Sequence, residues 1–404
     1  MTVTGERSVA IITPWYPTPR VPFGGAFVQE LVKAVAPRCD SVTVYHCDLW
    51  GLPKDLERAE VARRSQRRLQ PLARTAVRGV AGATVHYVPA LLPNGSDWET
   101  QARAHAEWLT ASLRGEPIPA PVVHAHVGIR GAYAALENAR PDAKVYVTEH
   151  ASFLDQVLAE PGARDLYDEV IDRATRFFAV GRNLVDQLGA VYPHHRAKLE
   201  IVANPIDFGA ARREPPRRIR RWITIGALTP RKRIDYLLRA FAECRADDPD
   251  LRLTIVGRGN QEPELRALAT ELGLDDAVVW RGAVDPADIP AVLAGHDLFV
   301  HASRHETFGV VVVEALAAGV PALVSRCGGP EELLEGIEAD AGAMYDVDES
   351  PAALVKAYRE LTRRVEAGLD LDRAREHLRR RYSREAVADH HERIWFGPSE
   401  GAPQ

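Results

Sequence analysis

Long apolar runs are the first thing this 404-residue chain lacks. No stretch approaches the roughly 20 consecutive apolar residues of a membrane-spanning helix. Near the N-terminus the apolar run 9–12 stops at Pro14, too short for the core of a secretory signal. Cysteine is scarce too. Cys39, Cys47, Cys244 and Cys327 lie far apart without CxxC spacing, which argues against a disulfide framework and a structural zinc site. A reduced cytoplasm is the expected home. Charge of one sign is also missing: 51 basic and 56 acidic residues leave a formal net charge of −5, so nothing global points to nucleic acid. Lysine is rare among the basic residues and alanine abundant, which reads as coding bias and not as function.

What is present is alternation. Short β-branched runs at 9–13, 42–47, 85–88, 122–126, 145–149, 177–180 and 199–202 are separated by helix-patterned stretches such as 26–35 and 166–174. Near-continuous apolar strands between helices predict a parallel sheet covered on both faces. At 212–221 arginines, glutamate and paired prolines break the pattern and read as a linker. The alternation then restarts. Strands are expected at 222–225, 251–256, 278–280, 298–301 and 322–325, and helices at 234–246, 262–272, 310–318 and 352–364. The length exceeds one usual core. Two doubly wound α/β domains are therefore expected, 1–210 and 211–383, with ligands bound beyond the carboxyl ends of the strands in a cleft between them.

The sharpest motif follows the strand 298–301. Glu306-Thr307-Phe308-Gly309 leads into an apolar helix that carries Glu314 just over one turn in. Gly309 lets backbone approach a ligand closely, and free N–H groups at a helix start suit phosphate. Glu306 is placed to accept hydrogen bonds from sugar hydroxyls, and Glu314 to take a diol. The plain alternative is a capping glutamate and a surface glutamate. Against it, Glu314 sits between Val-Val-Val-Val and Ala-Leu-Ala-Ala, not on a freely solvated face. Arg231-Lys232-Arg233 offers cations on a loop after a strand. A solvated basic turn is the competing reading.

The segment from Glu306 to Glu314 resembles the E-x7-E signature of retaining glycosyltransferases of the GT-B architecture, family 4 in particular. Further matches cover most of the chain. The loop from Gly226 to Lys232 resembles the family's G-x-L-x-x-x-K loop, Val256-Gly257-Arg258-Gly259 its VGxG turn, and Gly328-Gly329-Pro330-Glu331 its GGxxE turn. Phe23-Gly24-Gly25 follows the first strand as the family's glycine loop does, and His150 closes the strand 145–149 where the family carries an active-site histidine.

The resemblance implies a GT-B fold, two Rossmann-like domains facing a cleft, with the donor on the second domain and the acceptor on the first. It implies that His150 and Glu306 position the sugar, Lys232 stabilises the leaving diphosphate and Glu314 holds the ribose. Gly24, Gly25, Arg231, Arg258, Thr307, Phe308 and Gly309 complete the donor site. The donor is a nucleotide-sugar co-substrate, UDP-sugar by default and GDP-sugar next, with no metal and no further cofactor. The acceptor is a hydroxyl on a glycan, a lipid carrier or a natural-product core. Residues 384–404 would cross back onto the first domain, anchored by Trp395. Two positions depart from the pattern: Ala227 stands where arginine is common, and Arg233 where glycine is common. An epimerase or phosphorylase on the same architecture, and a non-catalytic nucleotide-binding subunit, are the rival readings.

Weaker features complete the reading. His124 and His126 alternate on one strand but lack a third metal ligand, and Asp247-Asp248-Pro249-Asp250 reads as a helix-ending turn, not a metal motif. Arg58, Arg63, Arg64, Arg67, Arg68, Arg74 and Arg78 form a basic stretch, expected to spread around a helix at 56–76. Contact with an anionic membrane surface or a phosphorylated acceptor is its sharp reading, and a solvated helix the favoured one.

Overall fold

The computed structural model describes residues 7–19, 21–52, 64, 75–209, 211 and 214–397. The chain divides into two compact units, Met1–Pro205 with Arg384–Gln404 and Ile206–Ser383. The division falls at Pro205/Ile206, a few residues ahead of the position read from the sequence.

The first unit is built on β1 (Ser8–Thr13), β2 (Ser41–Leu52), β3 (Ala76–Arg78), β4 (Thr84–Pro93), β5 (Val122–His126), β6 (Lys144–Glu149), β7 (Arg176–Ala179) and β8 (Leu199–Ile201). Among the described residues they form one sheet in the order β3-β4-β2-β1-β5-β6-β7-β8. Neighbours run parallel except β3, which pairs antiparallel with β4. All six residues of β1 and all five of β5 are buried, as expected of strands covered on both faces. The chain builds outward from β1 through β2, then returns to β5 on the other flank. At such a reversal the loops leave on opposite sides of the sheet and open a crevice at the carboxyl ends of β1 and β5.

The helix Arg384–Phe396 belongs to this unit. Trp395, 2% exposed, donates from Nε1 to His124 Nδ1 at 3.2 Å, and the Tyr146 hydroxyl donates to the Ile394 carbonyl at 2.8 Å. Arg384 pairs with Glu30, and Arg38 with Asp389 and Glu392. Burial of an indole with a satisfied N–H supplies most of the docking, and partly exposed ion pairs add little.

The second unit holds β9 (Arg221–Ile225), β10 (Arg252–Val256), β11 (Val278–Gly282), β12 (Leu298–His301), β13 (Ala322–Arg326) and β14 (Gly342–Asp346), an all-parallel sheet in the order β11-β10-β9-β12-β13-β14. Its reversal lies between β9 and β12. Trp222 at the start of β9 is fully buried, with its ring 5.3 Å from Phe241 and 4.6 Å from Tyr358. The fold is thus α/β, with two Rossmann-like parallel-sheet units.

Several expectations need correction. Arg221 begins β9 and is not linker, because it pairs alongside Arg252. Ala76 and Arg78 lie in β3, a three-residue edge strand too short to show a pattern. β14 was also unread, since Gly-Ala-Met-Tyr-Asp lacks a β-branched run. Of the expected helix at 56–76, Arg58, Arg63, Arg67, Arg68 and Arg74 lie outside the described residues, as does Arg212. Among the described residues no helix is long and apolar enough to cross a membrane.

Candidate functional site

In the second unit the motif residues gather at the carboxyl ends of β9 and β12. The loop after β9 closes into a short turn, Pro230–Lys232, and the loop after β12 carries Glu306. Lys232 Nζ lies 2.5 Å from Glu306 Oε2, and Arg231 Nη1 lies 3.0 Å from Glu306 Oε1. The two loops are also joined through backbone, with Arg304 N–H donating to the Arg231 carbonyl at 2.9 Å. His301 Nε2 and Ser303 Oγ each stand 3.4 Å from the same carboxylate. His301 is steadied by Ser325 at 3.2 Å, and its carbonyl accepts the Tyr345 hydroxyl at 2.9 Å.

Burial on its own would lift the Glu306 carboxyl. Lys232, then His301 and Arg231, outweigh that burial and hold it well below the usual carboxylate range. With side-chain exposures of 13% for Glu306 and 17% for Lys232, this is a carboxylate kept ionised in a shielded place. A shielded charge pair at a strand-end crevice is what a diphosphate and a sugar hydroxyl would meet.

The Glu306 backbone is fixed by the turn after β13. Its N–H donates to the Cys327 carbonyl at 2.9 Å, and Gly329 N–H donates to its carbonyl at 2.8 Å. A Cβ at Gly329 would collide with the Phe308 backbone, so only glycine lets the two loops approach this closely. Gly309 takes φ +98° at the start of the helix Val310–Ala317. Thr307 and Phe308 are buried, and Phe308 packs edge-on to Tyr382 at 5.4 Å. Glu314 is half-buried one turn into that helix. Arg258 is exposed, with its guanidinium beside Gly282 at the end of β11, and makes no ion pair with the Glu306 cluster among the described residues.

Arg233 stands where the resemblance expects glycine. It takes the left-handed conformation, φ 49° and ψ 46°, a strain on the order of 1–2 kcal/mol for a residue with a Cβ. Its buried guanidinium offsets that strain by lying 4.2 Å over the Tyr236 ring and donating to the Asp348 carbonyl at 2.7 Å.

In the first unit, Gly24 and Gly25 lie between β1 and the helix Ala26–Val35. Gly25 takes φ +67°, and a Cβ there would strike the Trp15 carbonyl, so the turn requires glycine. His150 follows β6. Its ring sits 4.4 Å from Phe27, and its Nε2 lies 2.9 Å from His126 Nδ1. Burial pushes the His150 imidazole down to about 3, so it is neutral near pH 7. Glu149, 1% exposed, accepts the N–H groups of Gly128, His150 and Ala151 and the Tyr167 hydroxyl. That carboxylate fixes the backbone on which His150 stands.

His124 uses both ring nitrogens, accepting from Trp395 and donating to Thr148 Oγ1 at 2.7 Å, which leaves none for a metal. Asp168, His194 and His195 do bring three metal-capable groups together in this unit, unnoticed in the sequence because Asp168 lies on the helix Pro161–Arg173 and the two histidines on the turn Pro193–Lys198. Asp247–Asp250 forms the helix-ending turn, with Asp250 N–H bonded to Asp248.

His301, Ser303 and Ser325 were missed by sequence reasoning. Their one sequence signal was position at or near a strand end. Arg130, Trp15 and Trp98 were likewise passed over in the first unit.

Family models match both halves of the chain: Glycosyltransferase Family 4 over residues 24–210 and Glycosyl transferases group 1 over residues 213–375. The GDP-mannose-dependent alpha-(1-6)-phosphatidylinositol monomannoside mannosyltransferase of Mycolicibacterium smegmatis is 36% identical over 134 residues, 31% of this chain and 35% of that protein. The N-acetyl-alpha-D-glucosaminyl L-malate synthase of Bacillus anthracis is 24% identical over 68% of this chain and 74% of that protein. The D-inositol 3-phosphate glycosyltransferase of Kribbella flavida is 30% identical over 62% of this chain and 66% of that protein. The chain thus spans about a third of the mannosyltransferase's length and just under two thirds of the inositol phosphate enzyme's. The solved sucrose-phosphate synthase of Thermosynechococcus elongatus has the same fold, with a TM-score of 0.73 at 17% identity over 96% of this chain and 98% of that one. With the two models together covering most of its length, the chain belongs to the group 1, family 4 glycosyltransferases.

Proposed function

We propose that this protein is a retaining, hexosyltransferase-type enzyme that moves a sugar from a UDP-sugar to a hydroxyl acceptor. The observation that carries the reading is the shielded Glu306 carboxylate held by Lys232 and Arg231 beyond β9 and β12. The donor diphosphate takes up Lys232 and Arg231, whose fixed charge meets the negative charge that grows as the glycosidic bond breaks. Glu306, already ionised, accepts hydrogen bonds from the sugar hydroxyls. Glu314 holds the ribose, and Gly309 and the helix start behind it approach the phosphates. Neutral His150, on the acceptor-binding unit, hydrogen-bonds the sugar; with its pKa near 3 it is no general base. The acceptor oxygen attacks from the face the leaving group departs, and the departing diphosphate takes the acceptor proton. No metal is needed in this scheme, since side-chain cations meet the charge. The protein would work in the cytoplasm.

A GDP-sugar is the second reading, favoured by the GDP-mannose dependence that the Mycolicibacterium relative is named for. Thermal shift with UDP, GDP, ADP and dTDP separates the two, because a ligand of the native state alone raises its stability. UDP is expected to give the largest rise. NMR of the product made from an α-linked donor should show an α-linkage. A β-linked product would end the retaining assignment, and no shift with any nucleotide would end the transferase reading.

A further inference from the structure

Beyond β5 the first unit contains a buried cation that makes no ion pair among the described residues. Arg130, at the start of the helix Arg130–Asn138, is 7% exposed. Its one hydrogen bond among the described residues runs from Nη1 to Gln101 Oε1, at a long 3.4 Å. Its Nε is buried with no partner, and no carboxylate lies within ion-pair distance among the described residues. Glu149 acts on it only through space, its oxygens being filled by three N–H groups and the Tyr167 hydroxyl. Buried charges are normally paired, and a guanidinium with unfilled donors is costly to hold in a fold.

The surroundings are built to hold that guanidinium in place. Arg130 Cζ lies 5.6 Å from the Trp15 ring and 5.4 Å from the Trp98 ring, both within cation–π range. Phe153 locks the two indoles, stacked on Trp98 at 5.2 Å and edge-on to Trp15 at 5.9 Å. Trp98 and Gln101 share one face of the helix Trp98–Ser112, at i and i+3. The three aromatic rings are half-buried, so each keeps part of its surface accessible beside the guanidinium. The frame stands at the carboxyl ends of β1, β5 and β6, as does His150, which Trp15 reaches through Phe27.

We propose that Arg130 is the specificity-determining residue of the acceptor site and recognises a phosphate or carboxylate on a small polyhydroxylated acceptor. The inference rests on the first unit being the acceptor side of the proposed transferase. A planar fork of donors matches the oxygens of an oxyanion, and half-buried aromatic faces suit the C–H face of a polyol beside it. A low-dielectric frame strengthens the contact, and the anion fills donors that the protein leaves open.

Isothermal titration of the whole chain tests this with inorganic phosphate, D-inositol 3-phosphate, L-malate and unphosphorylated inositol, each with and without UDP. The phosphate and malate arms distinguish the two oxyanions. Wild type should bind at least one anionic probe, and bind unphosphorylated inositol about tenfold more weakly or not at all. Arg130→Gln should lose that anion about tenfold or more while keeping UDP affinity. Arg130→Lys, which keeps the charge without the fork, should fall between and guards against a folding defect in the first variant. Equal anion binding by wild type and Arg130→Gln, no anion binding at all, or a loss of UDP affinity with the anion would overturn the proposal. UDP binding that persists while anion binding is absent would sink this inference and leave the transferase reading standing.

Discussion

His105 gives a sharp test of the electrostatics of the first unit. It lies on the helix Trp98–Ser112, is fully buried, and neither ring nitrogen has a hydrogen-bond partner among the described residues. Burial first, then the charge of Arg130 and the neighbouring His46, push its imidazole down to about 3. An unfolded histidine titrates near 6.5. Between these values the unfolded chain binds a proton that the folded unit excludes, so stability rises with pH there. The contribution is complete above about pH 6.5 and is lost as pH falls toward 3. Between pH 7 and pH 5 the loss from this one residue is about 2 kcal/mol. His105→Leu removes the titration with little change of volume. Urea unfolding of wild type and variant at both pH values, followed by fluorescence, gives a double difference in which the other histidines cancel. Trp98 and Trp108 share the helix with His105 and report on the first unit, and Trp222 and Trp280 add the signal of the second, which is common to wild type and variant. Wild type should lose about 2 kcal/mol more than the variant between the two pH values. Equal losses would refute the reasoning, by showing that His105 takes up a proton in the folded state as readily as in the unfolded chain.

Lys232→Ala should lower turnover about 100-fold or more, the scale lost with one stabiliser of transition-state charge, and near-normal turnover at saturating donor would remove it from the mechanism. Glu314→Ala should weaken nucleotide affinity in equilibrium titration while holding kcat, since a ribose contact binds ground and transition states alike. His150→Ala should leave nucleoside diphosphate affinity almost unchanged and sharply lower transfer; parallel losses in both, with a lower melting temperature, would make the residue merely structural. Trp395→Ala should cost about 3–5 kcal/mol in urea unfolding, through lost packing and an orphaned acceptor on His124, and a loss under about 1 kcal/mol would show that the helix is not anchored there.

The sequence carried the period of the fold because strands covered on both faces must be apolar throughout. Val122–His126, Leu298–His301 and the helix Ala26–Val35 were read to the residue. Where strands are short or poor in β-branched residues, as in β3 and β14, there was no local signal. Motif glycines were legible for a related reason. Gly25 and Gly329 sit where backbone meets backbone, and no other residue fits.

Contacts between distant loops had no such signature. That Glu306 would be ion-paired to Lys232 and Arg231, and backed by His301 and Ser303, depends on β9 and β12 becoming neighbours in the sheet. Local chemistry names a glutamate or a lysine as a candidate; only tertiary burial sets its charge state and its partner. Arg130 makes the same point from the other side. In the sequence it is one arginine among many, and only the folded chain buries it beside Trp15 and Trp98 with no ion pair among the described residues. Sequence by itself determined which elements form and which loops carry reactive groups, because period and steric demand are local properties. Tertiary structure decided which of those groups meet, and whether water is present when they do, because burial and pairing are properties of the whole fold.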